Sequence, residues 1–75
     1  MEVKLGQIWW KNYATDYHSL VVRVQIIFVD NEKIVSKILS SWTDTRPTGS
    51  EIIAYLDGID PYAYKVKFGW HLEAN

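Results

Sequence analysis

Two histidines are the side chains of this 75-residue sequence best suited to acid–base or metal chemistry at neutral pH. His18 lies in a polar stretch and His71 in a run of alternating residues, and neither belongs to a group of His, Asp or Glu with the spacing of metal ligands. Asp57 and Asp60 resemble the beginning of a calcium loop, but the further alternating oxygens and the closing glutamate of such a loop are missing. The sequence therefore predicts two surface histidines, no metal site and no cofactor.

The serine and threonine hydroxyls lack the neighbours that would make one of them a nucleophile. No base and orienting residue accompany them, no Gly-x-Ser-x-Gly turn is present, and the chain has no cysteine. Residues 46–50, Arg-Pro-Thr-Gly-Ser, could bind a phosphate at a helix N-terminus, but Glu51 in the same turn would repel an anion. A loop capped by Thr48 is the favoured interpretation. We predict that the chain is not an enzyme.

Basic and aromatic residues offer a third kind of chemistry, the binding of a macromolecule. Trp and Tyr commonly anchor protein interfaces, and a basic face with exposed rings is typical of single-stranded nucleic acid binding. Eight Lys and Arg against nine Asp and Glu give a net charge of −1, which argues against a binder of duplex DNA. The residues predicted on outward positions or in loops form the candidate partner-binding set: Trp9, Lys11, Tyr13, Tyr17, Arg23, Lys37, Tyr62, Lys65 and Lys67.

The elements that must position these residues begin with a strand interrupted by Gly6. The apolar residues before and after this glycine alternate, but the two sets are out of phase. A glycine at a change of phase suggests a β-bulge or a sharp bend. Such a bulge would turn four residues toward one core: Val3, Leu5, Ile8 and Trp10. We therefore predict Trp10 inside the core and Trp9 outside it, beside Lys11.

A β-hairpin is the clearest predicted element. Residues 20–29 are rich in β-branched side chains and form its first strand, and residues 34–42 form its second. A loop of three or five residues keeps core side chains opposite core side chains, whereas a two-residue loop would mix the two faces. The odd loop gives three core pairs: Phe28 with Ile34, Val24 with Ile38, and Leu20 with Trp42.

The second half of the chain is predicted to contain one helix and one strand. Residues 48–51, Thr-Gly-Ser-Glu, match a capping box and predict a helix over 49–57 that ends at Gly58. Asp60-Pro61 reads as a turn, and the alternation in residues 64–72 predicts the last strand. The order β-β-β-α-β predicts a single, mainly-β domain over residues 1–75, an antiparallel, partly open barrel with one short helix. An α+β sheet with the helix packed on one face is the alternative.

The opening stretch Val3-Lys-Leu-Gly-Gln-Ile-Trp9 resembles the first strand of small SH3-like β-barrel proteins of phages and bacteria. Those proteins often begin with Gly-x-Ile/Val-Trp and continue with a long hairpin rich in Val and Ile. The resemblance covers residues 1–42 and implies an SH3-like barrel. Short, aromatic-rich proteins of this kind without cysteine are often phage accessory proteins. The peptide-binding SH3 signature of tyrosines and acidic residues is missing, so the resemblance implies no ligand groove.

Both faces of the predicted hairpin carry large aliphatic side chains, although one short helix can cover only one of them. Those on the mixed face are Val21, Ile27, Val35 and Leu39. A barrel overhang or a second subunit of a homodimer would cover them. We therefore predict a non-catalytic protein-interaction module, a phage-type accessory protein that binds and modulates a host or defence protein. A nucleic-acid-binding small β-barrel is the alternative.

The location of the protein is predicted from its apolar segments. The longest apolar stretch, residues 20–29, is too short to span a bilayer and contains Arg23 and Gln25. The first residues lack the charged-then-apolar pattern of a signal peptide. We expect a cytoplasmic protein with no membrane partner.

Overall fold

The computed structural model describes residues 2–13, 21–40 and 47–75 of the chain. These residues form five strands and one helix: β1 (Ile8–Asn12), β2 (Val21–Val29), β3 (Lys33–Ser40), β4 (Glu51–Tyr55), α1 (Pro61–Lys67) and β5 (His71–Ala74). The strands make one antiparallel sheet in the order β4-β3-β2-β1-β5. The predicted mainly-β fold with one short helix is confirmed. The sheet does not close into a barrel, and the predicted pair of Leu20 with Trp42 lies outside the described residues.

Three residues separate β2 from β3, one of the two predicted loop lengths, but the last register pair, Val29 with Ile34, has the parity that the prediction excludes. The carboxylate of Asp30 accepts hydrogen bonds from the backbone N–H groups of Glu32 at 2.8 Å and Lys33 at 2.9 Å. These bonds to the charged form lower the pKa of Asp30. Val24 lies opposite Ile38 and both are fully buried, so this predicted core pair is confirmed.

A β-bulge at Ile27 changes the register near the loop of the hairpin. Phe28 lies opposite Val35 and not opposite Ile34, so that predicted pair is wrong. An extra residue on one strand turns the following side chains to the other face of the sheet. Phe28 consequently leaves the core and is 44% exposed.

Gly6 forms the predicted bulge before β1. Its N–H donates to the carbonyl of Ile26 at 2.9 Å, and the N–H of Ile26 donates to the carbonyl of Gln7 at 2.9 Å. Two residues of one segment therefore oppose one residue of β2. Gly6 has a φ of +85°, in the left-handed region that glycine enters without a steric penalty.

The prediction that Trp10 is the core tryptophan is wrong. Trp9 is 1% exposed and lies opposite Val24, whereas Trp10 is half-buried on the other face. The inward residue that precedes Trp9 on the same face is Gln7, which is also buried. The Oε1 of Gln7 accepts hydrogen bonds from Trp9 Nε1 at 3.1 Å and from the backbone N–H of Lys4 at 2.9 Å. Because the buried Gln7 is polar, the pattern of apolar residues does not show that Gln7 and Trp9 share the inward face of this strand.

The predicted helix over residues 49–57 is wrong, because this segment forms β4. The N–H and the hydroxyl of Ser50 both donate to the carbonyl of Pro47, at 3.1 and 2.6 Å, and close a turn where the capping box was expected. β4 then pairs with β3 in an uninterrupted antiparallel register. The β-branched Ile52 and Ile53 favour a strand, and pairing with β3 outweighs a local capping signal in so short a segment.

The predicted strand over residues 64–72 is also wrong, because α1 ends at Lys67 and β5 begins only at His71. Asp60 is the N-cap of α1, and its carboxylate accepts a hydrogen bond from the N–H of Ala63 at 3.1 Å. Pro61 occupies the first helical position, where it has no hydrogen bond to lose. The Asp-Pro pair is thus the start of the helix and not a separate turn.

Gly69 ends α1 in a Schellman motif. It has a φ of +83°, and its N–H donates to the carbonyl of Val66 at 3.1 Å. The N–H of Trp70 donates to the carbonyl of Lys65 at 2.9 Å. The C-cap of α1 is Phe68. In a Schellman motif the side chain three residues before the C-cap contacts the side chain two residues after it. The motif therefore brings the side chains of Lys65 and Trp70 together.

The sheet has a covered face and an open face. The covered face holds the core, and α1 packs on it through Tyr62. The buried apolar core residues are Val3, Trp9, Val22, Val24, Ile26, Ile34, Ile38 and Leu56. The strand registers place the following side chains on the open face: Trp10, Arg23, Phe28, Lys33, Val35, Lys37, Glu51, Ile53, Tyr55, His71 and Glu73. Among the described elements, α1 is the one that lies off the sheet, and it lies on the covered face.

Candidate interaction surface

An apolar row crosses the open face from β2 to β4. Phe28 is the register partner of Val35, and Val35 is the partner of Ile53. Directly opposite side chains lie on the same face of a sheet and touch. Ile53 is 51% exposed, and Tyr55 beside it is 64% exposed. Adjacent large side chains with this exposure form a patch of the kind that marks an interface.

The other end of the open face, on β1 and β5, is occupied by contacts within the chain. Arg23 binds both carboxylate oxygens of Glu73, with Nη2 and Oε2 2.6 Å apart. This hydrogen-bonded contact raises the pKa of Arg23. The ring of Trp10 stacks on that of His71 with the centroids 4.4 Å apart. The apolar row has one such contact, Lys33 Nζ at 5.6 Å from the centroid of the Phe28 ring, and its exposed side chains make it the part of the open face that is left for a partner.

Trp9 and Tyr62, two members of the predicted partner-binding set, meet in the core region. The edge of one ring contacts the other, with the centroids 6.1 Å apart. Trp9 is buried and Tyr62 is half-buried, so the expectation that Trp9 stands outward is wrong. Both side chains stabilise the packing of α1 on the covered face.

Lys65 is a buried lysine whose ammonium group faces aromatic rings. It is 3% exposed, and its Nζ lies 4.2 Å from the centroid of the Trp70 ring and 5.8 Å from that of Trp9. The loss of hydration, together with the nearby charge of Lys11, lowers the pKa of Lys65 to about 8. The cation–π contacts stabilise the charged form and oppose this decrease in the pKa. They contribute about 2 kcal/mol, whereas burial of an ion costs several kcal/mol.

Two further basic residues near the end of α1 also lie against rings. Lys11 Nζ lies 4.6 Å from the centroid of Tyr13 and 6.0 Å from that of Trp70. Lys67 Nζ lies 5.6 Å from the centroid of Phe68. The rings of Tyr13 and Phe68 are exposed, so this corner of the molecule presents two cations and two aromatic rings to solvent.

The predicted basic residues do not share one surface. Arg23 and Lys37 lie on the open face, whereas Lys65 and Lys67 belong to α1 on the covered side. The last two were predicted at outward positions of a strand, and that prediction is wrong, because residues 61–67 are helical. Tyr17, the remaining member of the set, lies outside the described residues.

The exposed residues of the apolar row were missed in the sequence for two local reasons. The sequence pattern predicts Phe28 in the core, because no glycine or proline marks the bulge at Ile27. The match of residues 48–51 to a capping box predicts a helix for Ile53 and Tyr55. The adjacent β-branched residues Ile52 and Ile53, followed by Tyr55, are the local sequence signal that favours a strand for β4.

A recess of about 300 Å³ lies between the first residues, the β2–β3 loop and the start of α1. Two of its acidic side chains already have structural roles, since Asp30 closes the loop and Asp60 caps α1. Within residues 2–13, 21–40 and 47–75 no three His, Asp or Glu side chains come together as metal ligands. In the same ranges no helix has the length and apolar character needed to cross a membrane.

Comparison of the chain with protein-family models, with curated proteins and with solved structures found no match. The resemblance of Val3–Trp9 to small SH3-like proteins therefore stays a prediction.

Proposed function

We propose that this chain is a non-catalytic protein-interaction module that binds a protein partner with the apolar row of its open face. The observation that carries the proposal is the one-sided packing of the sheet. The helix covers one face, and Phe28, Ile53 and Tyr55 remain exposed on the other. Interface cores are rich in aromatic side chains and poor in charge, as this row is.

The flanks of the row supply polar groups suited to the rim of an interface. Lys37 lies beside Glu51 and Lys33 lies beside Tyr55, so charges of both signs border the apolar side chains. A rim of mixed charge adds specificity. The finer proposal is a phage-type accessory protein that acts in the cytoplasm on a host or defence protein. It is supported by the resemblance of Val3–Trp9 and by the small, cysteine-free chain.

A nucleic-acid-binding module is the second candidate. The corner that presents Lys11 over Tyr13 and Lys67 over Phe68 combines cations with exposed rings, as sites for single strands do. Lys65 adds a charge that is buried, and Arg23 is paired with Glu73 on the opposite side. Few cations are thus left for phosphates on that corner, and the net charge of the chain is −1.

Binding measured at two salt concentrations separates the two candidates. We expect the tagged chain to capture a discrete protein from a host-cell lysate equally well at about 50 and 200 mM salt, since apolar contacts are not screened. Labelled single- and double-stranded oligonucleotides should bind weakly under the same conditions. Micromolar oligonucleotide binding that falls steeply with salt, with no protein captured, would favour the second candidate instead.

A further inference from the structure

β4 is an outer strand whose free edge has a defined hydrogen-bonding pattern. The N–H of Leu56 donates to Glu32 at 2.8 Å, and the N–H of Ile38 donates to Ser50 at 2.9 Å. In an antiparallel pair every second residue bonds to the neighbouring strand. The even-numbered residues of β4 therefore face β3, and the backbone groups of Glu51, Ile53 and Tyr55 point away from it, toward the edge.

The edge of β4 is short and carries one charge, Glu51, but it lacks the other features that usually prevent strands from pairing. Its five residues contain no lysine and no proline, and its register with β3 has no bulge. The opposite edge, β5, has four residues and pairs with β1 through an irregular register. Of the two edges of the described sheet, β4 is therefore the one open to a further strand.

The side chains of β4 are complementary to those of a second β4. In the antiparallel register that places Ile53 opposite Ile53 of the second copy, Glu51 lies opposite Tyr55 of the second copy. The apolar row then continues across the edge, because Val35 and Phe28 follow Ile53 on each side. Glu51 would lie between Lys37 of its own chain and a phenol hydroxyl, so no like charges meet at the edge.

We propose that two copies of this chain associate edge to edge through β4, in the antiparallel register centred on Ile53. A two-fold axis perpendicular to the sheet relates the copies, and each uses the same residues. The backbone groups of Glu51, Ile53 and Tyr55 pair with those of the second copy. Both open faces then lie on the same side of one continuous sheet, so the dimer doubles the apolar row. This association differs from a homodimer in which the second subunit covers the mixed face of the hairpin.

Single cysteines test this register directly, since the chain has no cysteine of its own. In the edge dimer the Cα atoms of the two residues 53 are about 5.5 Å apart, so Ile53→Cys should give a covalent dimer with a short bismaleimide. Phe28→Cys is the matched control on the same face. Five strand spacings separate the two residues 28, about 24 Å, and no cross-link should form.

A second readout is the mass of the protein in solution. An edge contact of five residues buries less than the ~1,000 Å² of a stable interface, so light scattering should show a dimer at about 100 µM that dissociates on dilution. Ile53→Lys places two ammonium groups across the axis and should weaken association at least tenfold with an unchanged circular dichroism spectrum. A monomeric wild type, a dimer that tolerates Ile53→Lys, or cross-linking through Phe28→Cys would each overturn the proposal. These measurements contain no other protein, so their failure leaves the proposed function standing.

Discussion

Replacement of Trp9 by alanine is expected to lower the free energy of unfolding by about 3–5 kcal/mol. The Trp9 ring is fully buried against Val24 and Tyr62, and its Nε1 donates to the buried Gln7. Alanine would leave a cavity and would remove one hydrogen-bond donor to the side-chain amide of Gln7. A domain of this size has little more stability than that in total, so the variant should be largely unfolded at 25 °C. Urea unfolding followed by far-ultraviolet circular dichroism measures the effect.

Trp10→Ala is the matched control, because it removes the same side chain from the next position of the same strand. Trp10 is half-buried on the open face, and its main contact is the stacked ring of His71. Such a contact is worth about 0.5–1.5 kcal/mol, so this variant should stay folded with a modest loss. Equal losses for the two variants would contradict the difference in their burial, and a larger loss for Trp10→Ala would show that β1 has the opposite phase.

The stability of the protein is expected to rise between about pH 8 and pH 10.5 because of Lys65. Burial lowers the pKa of Lys65 from 10.5 to about 8 in the folded chain. In that window the folded state has released the proton and the unfolded state still holds it. The unfolded state therefore binds more protons, and the free energy of unfolding increases with pH. A pKa difference of this size corresponds to a maximum of about 3–4 kcal/mol.

Lys65→Met tests this linkage, since it keeps an unbranched side chain against Trp70 and removes the titrating group. Urea unfolding at pH 7, 9 and 10 should show a rise for the wild type that is absent in this variant. Lys67→Met removes an exposed lysine from the same helix and should retain the rise. If Lys65→Met and the wild type show parallel pH dependence, the ammonium group is not desolvated.

The parts of the fold that could be predicted are those in which neighbours along the chain determine the structure. The β2–β3 hairpin has long runs of β-branched residues and a polar loop, so its existence and the Val24–Ile38 pair follow from the sequence. The bulge at Gly6 also follows, because a glycine marks the change of phase. The sequence does not show which side chains after the bulge face the core, because this depends on the burial of Gln7, whose side chain is hydrogen-bonded to Trp9 and to Lys4.

The second half of the chain was predicted less well because its signals compete. Thr48–Glu51 matches a helix cap, yet the segment gains more from pairing with β3 than two turns of helix would supply. The alternation in residues 64–72 coexists with an Asp60-Pro61 helix start and a Gly69 helix stop. Giving the two capping signals priority would have placed α1 correctly. The residues of the open face depend on which segments form strands. Ile53 and Tyr55 belong to β4, so most of the candidate surface cannot be predicted without this strand.

The most direct measurement of the central claim is the affinity of the captured partner for two matched variants. Phe28→Lys places a charge in the apolar row, and Val66→Lys makes the same kind of change at an exposed position of α1. We expect Phe28→Lys to weaken binding at least tenfold, or by about 1.4 kcal/mol, and Val66→Lys to bind like the wild type, both with unchanged unfolding curves. Wild-type affinity for Phe28→Lys, or a loss with Val66→Lys alone, would contradict the assignment of the open face as the interaction surface.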